Sequence, residues 1–387
     1  MRKRILSSIL PLAACSGGGG EADVPSPAYD LTCSARFAAP TAERLVQVAR
    51  EASPGSCVVM TAAEYEPTEP VKVPAGVHLV GAQSVRPVIH GAVHLSSDAS
   101  FGAADVSGPQ GGISINGFNA RLRDVTVSGV QRSAVSVGCS LNRCEGPPNV
   151  LEDVVLAKNR LAIAVRRTPV RLVRVRMTEN GAHSAPPAPA GLFADEGAHV
   201  ELDSVVIEKN ADAAVFVRGE GTVLVARDTK VIDNDERGVW TEGLTGTLDR
   251  PSLVLEGCEI ARNTMVGLGL VASRGIVVTG GRIAETRVAR TITNDGPADI
   301  ADGVDVLHDT GDVKLETTLE KNARAAGVVS GIGIGTVLVE GTVTADPPAY
   351  GFVVQSPQAT VTIAPDATST PGRLLGVDAS PLGAPPF

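Results

Sequence analysis

The stretch 200–218, VELDSVVIEKNADAAVFVR, limits the possible folds more than any other part of the chain. Val200 and Leu202 form an alternating pair, as do Val205 and Ile207, and then Val215 and Val217; Asn210 stands between the last two pairs. Alternation of period two marks three short strands separated by turns, with a polar amide at one turn. None of the three can enclose a core. Such a unit is stable only when stacked on copies of itself.

The copies are present. Asn159, Asn180, Asn210, Asn234, Asn263 and Asn322 occupy one equivalent position, and Thr286 and Asp346 fit it with changed chemistry. Val154/Leu156, Val175/Met177, Thr229/Val231 and Cys258/Ile260 repeat the pair before the asparagine, while Ile163/Val165, Leu192/Ala194, Val239/Thr241 and Leu268/Leu270 repeat the pair after it. The period of ~23–29 residues predicts about nine coils, a stack of roughly 40 Å at ~4.8 Å per strand. The fold class expected is therefore all-β, a parallel solenoid. A solenoid core runs the whole length, so 387 residues need not mean two or three domains.

Residues 41–363 resemble the right-handed parallel β-helix of the pectin-lyase-like superfamily, with the asparagines similar to that family's ladder. The resemblance implies that each amide bonds to backbone and to its neighbour one coil away. It implies little about chemistry, because one fold hosts many functions. Residues 41–52, TAERLVQVAREA, predict an amphipathic helix with Thr41 as cap and Leu45, Val48 and Ala49 on one face. Helix, Pro54-Gly55 turn and strand 57–60 resemble the N-terminal cap of extracellular β-helices, which plugs the core and blocks edge association.

Residues 1–15, MRKRILSSILPLAAC, carry a basic start (Arg2, Lys3, Arg4) and an apolar run too short to cross a bilayer. Leu12-Ala13-Ala14-Cys15 resembles a bacterial lipobox. That implies cleavage before Cys15, lipid on its sulfur, and stable anchoring through several acyl chains; the plainer alternative is a secretory signal with Cys15 incidental. Ser16 after the cysteine points to the outer membrane by analogy with enteric sorting. Residues 16–40 then read as a flexible tether, and the Pro-, Ala- and Ser-rich 364–387 as an irregular tail. The net charge of −9 becomes more acidic once the leader leaves, which disfavours nucleic acid and anionic lipid as partners. Oligomeric state is left open.

Of the six cysteines, Cys15 is assigned to lipid. Export permits disulfides: Cys33 is placed to pin the N-terminal segment to Cys57, and Cys139 and Cys144 bracket a short loop and are paired together. Cys258 falls on an inward strand position and reads as a buried free thiol.

Inward positions are committed to packing, so function must lie outward. The outward residues of the first strand read Arg171, Glu201, Leu224, Val254, Val277, Lys314 and Leu338. On that face the superfamily's lyases carry calcium-binding carboxylates, which are missing here; its aliphatic middle suggests self-association or burial under the tail. The second strand presents Arg176, Lys230, Glu259 and Arg282, a solvated charged face.

The third strand presents Ala164, Phe193, Phe216, Trp240 and Gly269. Three aromatics on consecutive coils stand ~5 Å apart, close to one sugar unit, and aromatic rings suit the C–H faces of sugars. Arg218 beside Phe193, Phe216 and Trp240 completes a candidate polysaccharide-binding row. The alternative is that the row stacks internally. Glu196, Glu220 and Glu242 flank it as candidate catalytic carboxylates for a polysaccharide lyase or hydrolase, which needs two acids ~5–9.5 Å apart. The superfamily's polygalacturonase motifs DD, GHG and RIK are absent; Thr293-Asn294-Asp295-Gly296 is the nearest match to its NTD. No cofactor or metal site is expected, except that Asp295, Asp299, Asp302, Asp305, Asp309 and Asp312 leave calcium open. The functional expectation is an extracytoplasmic, non-catalytic, glycan-interacting scaffold, with an enzyme or a self-associating structural protein as alternatives.

Overall fold

A computed structural model describes residues 24–139, 145–181, 189–293, 296–344, 349–356 and 358–363. The chain winds into stacked coils whose strands run parallel to their equivalents one coil away, in two sheets of 21 and 13 strands. The larger sheet carries the first and second strands of each coil and the smaller the third. One strand of the smaller sheet belongs to a hairpin, which leaves a path of twelve rungs among the described residues. That exceeds the nine expected, because Val71–Val73, Ala92–Leu95 and Gly112–Asn116 are already third strands although the Asn pattern has not begun. At ~4.8 Å per rung the stack is about 50 Å long.

Two corners shape each coil. Between the second and third strands, Lys158, Glu179, Lys209, Asp233, Arg262, Glu285 and Lys321 all adopt positive φ of 53–58°. Each immediately precedes a ladder residue. Asn180 Nδ2 donates to Leu156 O (3.0 Å) and to Asn210 Oδ1 (2.9 Å), and Asn210 Nδ2 donates in turn to Asn234 Oδ1 (2.9 Å). Thr286 holds its place by donating to Asn322 Oδ1 at 2.8 Å; Asp346 lies outside the described residues. Between the first and second strands, Asp124, Asp153, Arg174, Ser204 and Asp228 make the same left-handed bend.

Inward side chains stack in register, as in Val200, Leu224, Leu253, Ile276, Val313 and Val337. Leu224, expected to face outward, is therefore core and 0% exposed; its neighbour Val225 aligns with Glu201 and Val254 on the outer face. The run Val223–Arg227 follows a turn closed by Gly219 and Gly221 and is apolar at four successive positions, so alternation alone could not fix its phase. Cys258 is buried and free, and burial pushes its thiol up.

The helix Ala42–Glu51 caps the first coils, with Thr41 Oγ1 accepting from Arg44 N at 3.2 Å and Leu45, Val46, Val48 and Ala49 buried. Cys33 and Cys57 form the expected disulfide. Cys139 is also disulfide-bonded, while Cys144 lies outside the described residues. The tether expected over 16–40 is not a tether from residue 24 onward. Pro27 bridges Ala82, Tyr29 Oη donates to Arg123 O (2.6 Å), and Arg36–Ala39 pairs with Cys57–Met60. The leader with Cys15, and the tail 364–387, lie outside the described residues. After Thr286, Ala289–Thr293 pairs antiparallel with the start of Gly296–Leu307, and Ile300 and Ala289 pack on Met265 and Val266. No helix among the described residues is long and apolar enough to cross a membrane.

Candidate functional site

The outer face of the third sheet is one continuous row. In register it runs Lys72, His94, Ser114, Ser136, Ala164, Phe193, Phe216, Trp240, Gly269, Asp305, Val328 and Val353. The aromatic positions are those expected, but their exposure is not. Phe193 is 7% and Trp240 4% exposed. Phe193 and Phe216 stack with tilted rings at 5.7 Å. Arg218 lies over Phe193 at 5.0 Å, Arg166 over it at 5.9 Å, and Arg237 over Trp240 at 4.3 Å. The other side of Trp240 lies on Gly269, where a Cβ would stand 2.1 Å from the indole. The aromatic platform expected to be open is thus buried at Phe193 and Trp240. Arg218, Arg166 and Arg237 lie over these rings, a favourable cation–π arrangement.

Of the three candidate carboxylates, Glu242 alone contacts these rings. Glu196 is exposed and ion-paired to Arg167. Glu220 is exposed on a turn. Glu242 accepts from Trp240 Nε1 at 2.9 Å and so locks the indole. The buried acid beside the row is Asp195, 3% exposed, between Arg166 (3.2 Å) and Arg218 (3.5 Å). Burial pushes Asp195 up, against the pull of the two arginines.

Further along, Asp302 and Asp305 are both 0% exposed. Asp302 takes Arg324 as partner, with Nε to Oδ1 at 2.8 Å. Neither oxygen of Asp305 has a hydrogen-bond partner. Burial pushes both acids up, and Asp302 beside it raises Asp305 further. Arg324 pulls Asp302 back down, so Asp305 is the more strongly raised of the two. The segment left open for calcium therefore has its buried member Asp302 engaged by a guanidinium, and no group of three or more metal-ligating side chains converges among the described residues.

Before Phe193 the row is different. Ser114, Ser136 and Ala164 are small and partly exposed, and they floor an open groove of about 450 Å³. Asn116, Ser133 and Arg166 line it, and Phe193 forms its end wall. Sequence reasoning missed this groove because the coils before Asn159 lack the ladder that set the phase. The signal was present in Ser136, which stands between the inward Val135 and Val137.

Residues 111–283 match the sequence model described as a right handed beta helix region. Parallel coils with this match decide the architecture. The chain folds as a right-handed parallel β-helix. A similar solved structure is a double mutant of the periplasmic alginate epimerase AlgG, at 11% identity and a TM-score of 0.56, covering 85% of this chain and 84% of that one. Another is a variant of the catalytic domain of GH87 α-1,3-glucanase in complex with nigerose, at 13% identity and a TM-score of 0.54, covering 91% and 70%. At such identities the likeness is one of fold. No curated protein matches the β-helix chain.

Proposed function

We propose that this β-helix is an envelope-anchored carbohydrate-binding protein that holds a glycan along the outer face of its third sheet without cleaving it. The observation that carries this reading is the open groove floored by Ser114, Ser136 and Ala164. Serine hydroxyls, the Asn116 amide and the Arg166 guanidinium are donors and acceptors suited to sugar hydroxyls. The rung spacing of ~4.8 Å is close to one sugar unit. Every strand edge under the floor is already paired, so an extended peptide would find no free backbone to join. Among the described residues Arg166 is the charged residue of the lining, and none of these residues is a carboxylate. The structurally similar epimerase and glucanase have polysaccharide-related names, which agrees with the reading at the level of fold. Lipid on Cys15 would hold the rod to the outer membrane.

Glycan-array binding and a reducing-sugar assay on protein lacking residues 1–20 test this. Binding without product release, lost in Ser136→Trp, is the expected outcome. Product release would overturn it in favour of a hydrolase or lyase, whose acid would be Asp195, the buried carboxyl with a raised pKa nearest the groove. Asp195→Asn would then abolish turnover.

A further inference from the structure

The two halves of the third-sheet row differ in a way the binding reading does not by itself require. From Lys72 and His94, both exposed, through Ser114, Ser136 and Ala164 the outer face is open. At Phe193 it closes. Phe193, Trp240, Gly269, Asp305, Val328 and Val353 are all buried, and Phe216 between them is half-buried. The floor rises there by a whole aromatic side chain. Arg166 and Arg218 cover the Phe193 ring and are both ion-paired to the buried Asp195, so the wall is fixed from behind. Its next layers are also fixed, by Phe216 stacked at 5.7 Å and by Trp240 seated on Gly269.

We infer that the groove is blind at Phe193 and that the protein binds the end of a polysaccharide chain, not its interior. A chain lying along the row enters past Lys72 and His94 and stops against Phe193. From Ser114 to Phe193 is three rungs, so at ~4.8 Å per rung the groove holds about three sugar units. Phe193 is the residue that sets this specificity. The inference rests on the glycan reading above and deepens it.

The probes are nigero-oligosaccharides and mannuronate oligomers of two to eight units, with the corresponding polymers, titrated calorimetrically against protein lacking residues 1–20. For the series that binds, affinity is expected to rise with length and level off at about three units, and long polymers to saturate at one protein per chain whatever their length. Phe193→Ala, checked for folding by circular dichroism, should move the plateau to longer oligomers and let several proteins load on one polymer. Wild-type protein loading many copies per polymer, with affinity still climbing at eight units, would overturn the blind groove while leaving glycan binding intact. Absence of heat with both series would instead remove the glycan reading, and this inference with it. If Phe193→Ala does not fold, the length series and the polymer stoichiometry of the wild type decide the question alone.

Discussion

Each coil turns two corners through residues of positive φ, and the chain fills most of these with charged side chains instead of glycine. A left-handed residue with a Cβ costs roughly 1–2 kcal/mol. Ion pairs between stacked corners offset part of it: Arg174 to Asp153 at 2.7 Å, Arg262 to Asp233 at 3.0 Å, Lys158 to Glu179 at 3.7 Å. These pairs are solvent-facing and individually weak. The buried amides matter more. Asn210 donates to Met177 O and Asn234 Oδ1 and accepts from Asn180 N and Nδ2. Asn210→Ala leaves several of these buried groups unsatisfied, and the expected loss is about 3 kcal/mol in denaturant unfolding. Asn210→Thr should cost less, since Thr286 already serves at this position. At the acid pair the sign is different. Asp305 titrates above its unfolded value, so its favourable contribution is full below about pH 4 and is lost as pH rises through its folded pKa. Asp212, pushed up to about 6 by burial, then Glu236, acts the same way between about pH 4 and 6. Groups facing Asp305 are Asp302, Arg324 and Arg237. Asp305→Asn should raise the melting temperature at pH 7 relative to wild type and leave it unchanged near pH 3.5. A lower melting temperature at pH 7 would refute a protonated Asp305.

At the scale of elements, a strand's outer face is decided by its neighbours. Trp240 is buried because the next strand offers Gly269 beneath it and Arg237 lies over it. Gly269→Ala should therefore cost about 1–3 kcal/mol by overpacking. Trp240 is the single tryptophan, so its emission reports the change directly and should shift to the red. The first strand shows the converse. Val225, Val254 and Val277 are half-buried side by side, whereas Leu224 packs inside. A charge at Leu224 tests the core and a charge at Val225 tests association: Leu224→Glu should unfold the protein, and Val225→Glu should leave its unfolding free energy within about 1 kcal/mol of wild type.

For the whole molecule, each rung contacts only its neighbours, so stability is close to a sum of adjacent interfaces and the ends are the weak points. At the N-terminal end the helix Ala42–Glu51, the strand Arg36–Ala39 and the Cys33–Cys57 disulfide work together. The disulfide spans 24 residues, and loop-closure entropy puts its contribution at about 3 kcal/mol. Cys33→Ser is expected to speed hydrogen exchange in 24–60 first and to leave the central coils, where the groove lies, protected. Uniform exchange through the whole rod would instead mean that the coils unfold as one unit.

The sequence by itself determined the parallel stack, the asparagine ladder, the capping helix, the Cys33–Cys57 pairing and the register of the aromatic row. The stack, the ladder and the row's register follow from local alternation and from a polar residue recurring at a fixed offset, which a chain records position by position. Tertiary structure alone decided which outward residues meet solvent. Side chains on a solenoid touch residues a coil away, as Arg218 meets Asp195 23 positions off and Arg174 meets Glu152 22 positions off, and nothing in a single repeat announces those partners. It therefore closed the row at Phe193, buried Asp302 and Asp305 with Arg324, and opened the groove over Ser114, Ser136 and Ala164.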